Sequence, residues 1–413
     1  MSQPLPRSTV TPLTVGIEPV YQPVVALDSR AVMGYEALTR PCADSPWTSP
    51  IELLEAAHVM NATVAFDWRC RLAALRGALD AHMPPDMVLF VNAEPVALDA
   101  PPPADSAALL AAAGALSITV EITERHLMRN PAGLLRAVEH ARHLGWRVAI
   151  DDVGADSSSL ALLPLIRPDV IKLDMRMVQG RSTSETAVIV SAIAAESDRT
   201  GARVLAEGIE TEEHERTALD MGATAGQGWL YGAPGPLPNF TQILTPHRPA
   251  HPEPAVTVRV PTAVTPYGVI SALGAPRRSG RSLYDEMEMG LLRTAAAMGP
   301  SAIVIATRGP DHGARHSFDA ILDELAGRTA LTAVFEPCPA REAARYRAVT
   351  VDASDPLALE RSIIVVAPFQ TAALVGLDRG TSDDGRHSYN YRLTYDRNVV
   401  LDAATVLLHR LSV

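Results

Sequence analysis

The sequence predicts an α/β chain: a (β/α)8 TIM-type barrel over residues 18–243, then a smaller mixed α/β domain over residues 265–413. Three observations carry this. Short β-branched runs alternate with longer amphipathic stretches through the first part, the pattern of a parallel sheet wrapped by helices. Nearly every run ends in a carboxylate, an amide or a lysine. A proline-dense segment, TPHRPAHPEPAVTVRVPTAVTP at 245–266, then breaks the pattern and reads as an extended linker over 244–264.

The expected strands are VVAL (24–27), AVMGYEAL (31–38), MVLFVN (87–92), LSITVEIT (116–123), WRVAID (146–151), VIKLD (170–174) and RVLAE (203–207). Helical spacing covers 50–65, 66–82, 131–144, 184–201 and 212–221. Beyond the linker, β-rich runs at 301–308, 329–336, 347–353, 361–378 and 389–396 are interleaved with helical patterns at 282–298, 316–325 and 396–411.

Composition bounds the function. With 413 residues, 47% of them hydrophobic, the chain is long enough for about two or three domains with sizeable cores. A formal charge of −11 disfavours a nucleic-acid backbone binder but not a phosphorylated small molecule held through divalent ions. Cys42, Cys70 and Cys338 are far apart and odd in number, the usage of reduced core thiols. Residues 1–17 read as a loose proline-containing leader. The apolar run Ala187–Ala195 falls short of the roughly 20 residues of a membrane span, so a cytoplasmic protein is expected.

In a β/α barrel the strand C-termini converge on one face. Glu36, Asn92, Glu121, Asp151, Asp152, Lys172, Glu207 and Gln227 all fall at or near such ends. Several acids in one pocket repel each other unless cations neutralise them, and oxygen-rich sets suit hard ions such as Mg²⁺ or Mn²⁺. The pattern points to hydrolysis assisted by two such ions. Each position by itself has a plainer reading: a strand-end acid is more often a helix cap, and a lone lysine a solvated charge. Spacing alone leaves the two readings about even.

The segment YEALTR (35–40) resembles the signature of EAL-domain cyclic-di-GMP phosphodiesterases. QPVV (22–25), FVN (90–92), VEITE (120–124), AIDDVG (149–154), DVIKLD (169–174), AEGIET (206–211) and GQGWLYGAP (226–234) follow in that family's order. The resemblance implies a modified barrel whose first strand is antiparallel, and hydrolysis of cyclic di-GMP to linear pGpG. By the same resemblance, Glu36, Asn92, Glu121, Asp151, Asp152 and Glu207 would be metal ligands, and Lys172 would orient the attacking water with support from Glu210. Arg40 would contact a substrate phosphate, Gln22 would lie against the nucleotide, and Gln227 would sit at the site's edge. A homodimer through the barrel is also implied.

One segment departs from the family's usual DFG[TA]GYSSL: here residues 152–160 read DVGADSSSL, with Val153, Asp156 and Ser157 as the substitutions. The acid expected to tether this loop, Glu124, is retained. An alternative of another class is therefore a catalytically silent cyclic-di-GMP receptor; a protein-binding scaffold is disfavoured by Arg40 and Gln22. The C-terminal part is similar in general character to the DICT-type sensory domain, which implies a regulatory role. His312, His316 and His387 read as solvated loop residues, and RGPDHGARH (308–316) as a flexible loop.

Overall fold

The computed structural model describes residues 11–123, 130–155, 157–242, 262–310, 316–337, 344–381 and 387–411. Eight strands close a barrel: β1 Ile17–Ala26, β2 Val32–Pro41, β3 Val88–Asn92, β4 Ser117–Thr123, β5 Arg147–Val153, β6 Val170–Leu173, β7 Arg203–Ala206 and β8 Ala225–Gln227. β1 is antiparallel to both neighbours, and the remaining pairs are parallel. The barrel and its reversed first strand agree with expectation. β8 is an addition, since its three residues, Ala-Gly-Gln, carry no β-branched signal.

Helices α1 Pro50–Val59, α2 Thr63–Asp80, α3 Pro95–Leu98, α4 Ala107–Ala113, α5 Pro131–His143, α6 Leu163–Ile166, α7 Met175–Gln179, α8 Ser184–Thr200 and α9 Glu212–Asp220 lie around the barrel. The break between the first two falls at 60–62, earlier than apolar spacing suggests. Asn61 takes a left-handed φ of 52°, which ends α1. Caps follow the sequence: Ser49, Asn130, Thr183 and Thr211 each accept a backbone N–H from the first turn of their helix.

Strand alternation sorts the barrel's side chains. Val24, Val88, Phe90, Ala149, Val170, Leu205 and Ala225 fill the interior, while the outward neighbours Leu89, Val120, Val148, Ile150, Ile171 and Val204 meet the helices. One step further along, the same inward positions turn polar. Within the expected leader, Val15 is buried against Leu53, Ala57 and Phe66.

The second unit is a seven-stranded mixed sheet of order β12-β11-β10-β13-β14-β15-β9. Its strands are β9 Arg277–Gly280, β10 Ile303–Arg308, β11 Leu331–Glu336, β12 Arg347–Thr350, β13 Glu360–Val366, β14 Thr371–Thr381 and β15 His387–Thr394. Its helices are α10 Pro266–Ser271, α11 Arg281–Met298, α12 His316–Ala326 and α13 Arg397–Leu408. Val304, Ala306, Val334, Ile363 and Val365 face α11 and α12, whereas Ile303, Ile305, Ala333, Phe335 and Ile364 face α13.

The β-rich run 361–378 is a hairpin of β13 and β14. Ala367 N–H donates to the Gln370 carbonyl at 3.0 Å, and apolar residues on both sides of Pro368 hide the turn. β9 and α10 were also not anticipated. Arg361 is buried against Glu288, with Nε 2.8 Å from Oε1, and Tyr284 and Tyr389 flank its guanidinium. His387, expected to be solvated, opens β15 and pairs with Asp378 at 3.0 Å. His312 lies outside the described residues.

A Cβ added at Gly34 would stand 2.3 Å from the Val88 carbonyl oxygen. Gly34→Ala should therefore force β2 and β3 apart and cost about 2 kcal/mol or more in urea unfolding.

Candidate metal centre at the barrel mouth

The polar layer sits directly above the apolar filling. β1 and β2 pair with Gln22 opposite Glu36, β3 and β4 with Asn92 opposite Glu121, and β4 and β5 with Thr123 opposite Asp151. Register thus turns positions scattered in sequence into one ring.

Lys172 on β6 is its hub. The side chain is completely buried, and its Nζ lies 2.6 Å from Glu121 Oε1, 2.7 Å from Glu207 Oε1, 3.1 Å from Asp151 Oδ1 and 3.6 Å from Glu36 Oε2. Burial alone would depress the lysine's pKa, but four carboxylates raise it well above the ordinary value, so it stays an ammonium.

The acids respond differently to this shared cation. Burial pushes Glu121 well above the usual carboxylate range, and the charges of Glu36 and Asp151 push it further. Glu207 is raised to about 8, mainly by burial. Burial also acts to raise Glu36, but Lys172 and hydrogen bonds from Gln227 and Asn92 outweigh it and hold this carboxyl below its ordinary value. Gln227 Nε2 donates to Glu36 Oε2 at 2.6 Å and to Gln22 Oε1 at 2.9 Å; Asn92 Nδ2 donates to Glu36 Oε1 at 3.1 Å. Gln22 itself donates to the Gly232 carbonyl at 3.2 Å.

Four buried carboxylates against one ammonium leave a formal excess of three negative charges when all are ionised. Both oxygens of Glu121 and Oδ1 of Asp151 are buried and, among the described residues, meet no donor other than the Lys172 ammonium. Ligand oxygens of Asp151, Asp152 and Glu207 lie within 4.8 Å of one another. An oxygen-only set with surplus negative charge and unfilled lone pairs fits hard divalent ions. Asp152 adopts a left-handed φ of 59°, uncommon for a non-glycine residue, and so stands out of the regular strand path. Gly228, next to Gln227, has φ 157° and lies so close to Ile209 that a Cβ would be 2.1 Å from its carbonyl oxygen, so the β8 turn requires glycine.

Beside the ring lies a cavity of about 340 Å³, lined among others by Glu36, Arg40, Asn92, Glu94, Asp67 and Arg71. Arg40 Nη1 donates to the Thr39 carbonyl at 3.0 Å. Asp67 and Arg71 are additions to the expected set: both are buried, 3.2 Å apart, with Arg71 stacked 3.9 Å from the Trp68 ring centroid. Burial raises the Asp67 carboxyl to about 6. Their i,i+4 spacing in FDWRCR was the available signal, but it is also the spacing of an ordinary surface helix pair. Glu210 is exposed just before α9 and is not among the carboxylates ion-paired with Lys172. Glu124 and Asp156 lie outside the described residues.

The EAL domain family profile matches residues 14–234, more than half of the chain. The chain belongs to the EAL domain family. Among its relatives, the cyclic di-GMP phosphodiesterase RocR of Pseudomonas aeruginosa is 29% identical over 237 residues, covering 54% of this chain and 58% of RocR. The probable cyclic di-GMP phosphodiesterase PdeI of Escherichia coli is 29% identical over 226 residues, covering 53% of this chain and 29% of PdeI. The alignments thus span at most about three fifths of these two relatives. A solved complex of Klebsiella pneumoniae BlrP1 with calcium and cyclic di-GMP is 28% identical with a TM-score of 0.47, covering 53% of this chain and 56% of that one. Among the described residues no helix is long and apolar enough to cross a membrane.

Two outcomes follow from the charge balance. Lys172→Met removes the cation shared by four buried acids and should destabilise the metal-free protein by about 3–5 kcal/mol near neutral pH in chemical unfolding. At pH 7 the Glu207 carboxyl, raised to about 8, is mostly protonated without metal. Mn²⁺ binding should then expel at least about one proton, the share from Glu207 shrinking as pH rises past 8. Calorimetry in buffers of different ionisation enthalpy measures this.

Proposed function

We propose that this EAL barrel is a phosphodiesterase that hydrolyses one phosphodiester bond of cyclic di-GMP to give linear pGpG. The observation that carries this reading is the ring of acids around Lys172, with surplus negative charge, beside a cavity of about 340 Å³. The names of RocR and PdeI support the substrate class. Glu36, Asn92, Glu121, Asp151, Asp152 and Glu207 are the residues that would hold two Mg²⁺ or Mn²⁺ ions. When bound, such ions supply an activated water and stabilise the departing 3′ oxygen.

The chain's own groups divide the remaining work. Lys172, locked as an ammonium, can donate a hydrogen bond to the attacking water and orient it but cannot take its proton. Arg40 lines the cavity, and its planar guanidinium, with five N–H donors in a fixed fork, suits a phosphate oxygen pair. Gln227, which donates to both Gln22 and Glu36, fixes the orientation of that carboxylate, and the two glutamines would border the space for the nucleotide. Glu210 is proposed as an outer support of Lys172 only through intervening groups.

The proposal extends to a cytoplasmic protein with the barrel over 18–243, a linker over 244–264 and a regulatory, DICT-like domain over 265–413. It also includes a homodimer through the barrel, which sedimentation of the full chain would check.

The test is turnover of cyclic di-GMP by the full chain with Mg²⁺ or Mn²⁺, following pGpG by chromatography. Glu36→Ala should lower the rate by about a hundredfold or more, because it removes a ligand and the acceptor of both amides. Near-normal turnover in that variant would sink the site assignment. Tight nucleotide binding without product would select the receptor reading instead.

A further inference from the structure

The segment that leaves the metal centre after Asp152 is held by the second sheet unit. It begins and ends in strained backbone: Asp152 has φ 59° and Arg167 φ 49°, both left-handed without glycine. Each such residue costs about 1–2 kcal/mol and persists only where the surroundings fix it. At the first end, Val153 is fully buried in β5, and its carbonyl accepts the Asp174 N–H at 3.1 Å. At the other end, Arg142 Nη2 donates to the carbonyls of Ile166 and Arg167 at 2.9 and 2.7 Å.

Barrel elements β5 and α8 also pack on the turn Ser157–Ala161, and further restraints come from beyond the linker. Arg167 Nη2 donates to Asn398 Oδ1 on α13 at 3.0 Å. The 3₁₀ turn Ser157–Ala161 packs against the turn Gly299–Ser301 that follows α11. Buried Leu162, Leu163 and Ile166 belong to the same apolar cluster as Leu401, Ala404 and Leu408 of α13. Around this patch, Arg397 Nη2 lies 3.6 Å from buried Glu196 on α8, and His409 Nε2 lies 3.2 Å from Glu139 on α5. α13 therefore touches the barrel on both sides of the segment as well as on it.

We propose that Asn398, Arg397 and the α13 face are positioning residues for the metal centre: by clamping residues 157–167 they hold Asp152 in its strained, ligating conformation. The inference rests on the metal-site reading above. Its consequence is reciprocal. If docking of α13 favours the ligating geometry, metal in the site must favour docking by the same factor. The barrel's ion affinity is then set partly by a surface on the other unit, some distance in sequence from any ligand.

The experiment uses the full chain and Mn²⁺ alone, with free Mn²⁺ read by electron paramagnetic resonance. Asn398→Arg sets a second guanidinium against Arg167, and Arg397→Glu sets a carboxylate against Glu196. Each should weaken Mn²⁺ binding by about fivefold or more. The exchange Arg167→Asn with Asn398→Arg rebuilds the pair in reverse, puts asparagine at the left-handed position, and should restore affinity to within about twofold of wild type. Arg293→Ala, exposed on α11, should change nothing. In the wild type, Mn²⁺ should slow amide hydrogen exchange in α13, an effect that a merely structural α13 would not show. Wild-type affinity in both single variants overturns the proposal. Absence of Mn²⁺ binding by the wild type itself would instead remove the metal-site reading on which it stands.

Discussion

The barrel mouth is organised by one buried ammonium that four carboxylates must share. Lys172 sits where each acid is within 3.6 Å, so each one's charge state depends on the others. Taking these groups out of water is costly, and one cation cannot repay four anions. The chain answers with amides: Gln227 and Asn92 donate to Glu36, which stays ionised, while Glu121 and Glu207 are pushed upward and hold protons more readily. Such a set is stable without metal only in a partly protonated form, and it has oxygen atoms ready when protons leave. This unequal ionisation is what prepares it for divalent ions.

Register and parity put the ring in place. Because successive residues alternate between the barrel interior and the helical layer, the positions above Val24, Phe90, Ala149 and Leu205 necessarily face inward. Placing Gln22, Asn92, Asp151 and Glu207 there required only that the strand pattern continue by one more inward position. The spacing in sequence is irregular, since the connecting helices vary in length, yet the closed sheet removes that irregularity. Asp152 is the exception. It follows Asp151 directly and could not share its face in a regular strand, and its left-handed backbone places its carboxylate near those of Asp151 and Glu207.

Much of this was legible before any coordinates. Strand ends marked by VEIT, AIDD, VIKLD and RVLAE could be read as one face, because β-branched runs announce strands and barrel topology aligns their C-termini. Three features were not legible, each for a physical reason. β8 is Ala-Gly-Gln, where small residues are demanded by close approach and carry no propensity signal. The hairpin within 361–378 is largely apolar on both sides of its turn because β13 and the first half of β14 are buried on two faces. The Asp67–Arg71 pair is a buried charge pair whose i,i+4 spacing is also that of a solvated one; only the cavity and Trp68 beside it make the difference.

The two sheet units share an apolar cluster even though a proline-dense segment separates them in sequence. A linker of that composition limits reach but specifies no docking, so the contact must be encoded by the surfaces themselves. On the barrel side those surfaces are α5, α6 and α8, and the segment between Asp152 and Arg167 runs among them. A left-handed residue at either end of that segment stores strain that the packing must overcome, and part of that packing belongs to α13. The backbone of the segment that begins at Asp152 and the seating of a helix remote in sequence are thereby packed together. Among the acids at the barrel mouth, Asp152 is the one whose left-handed backbone opens the segment that α13 packs against.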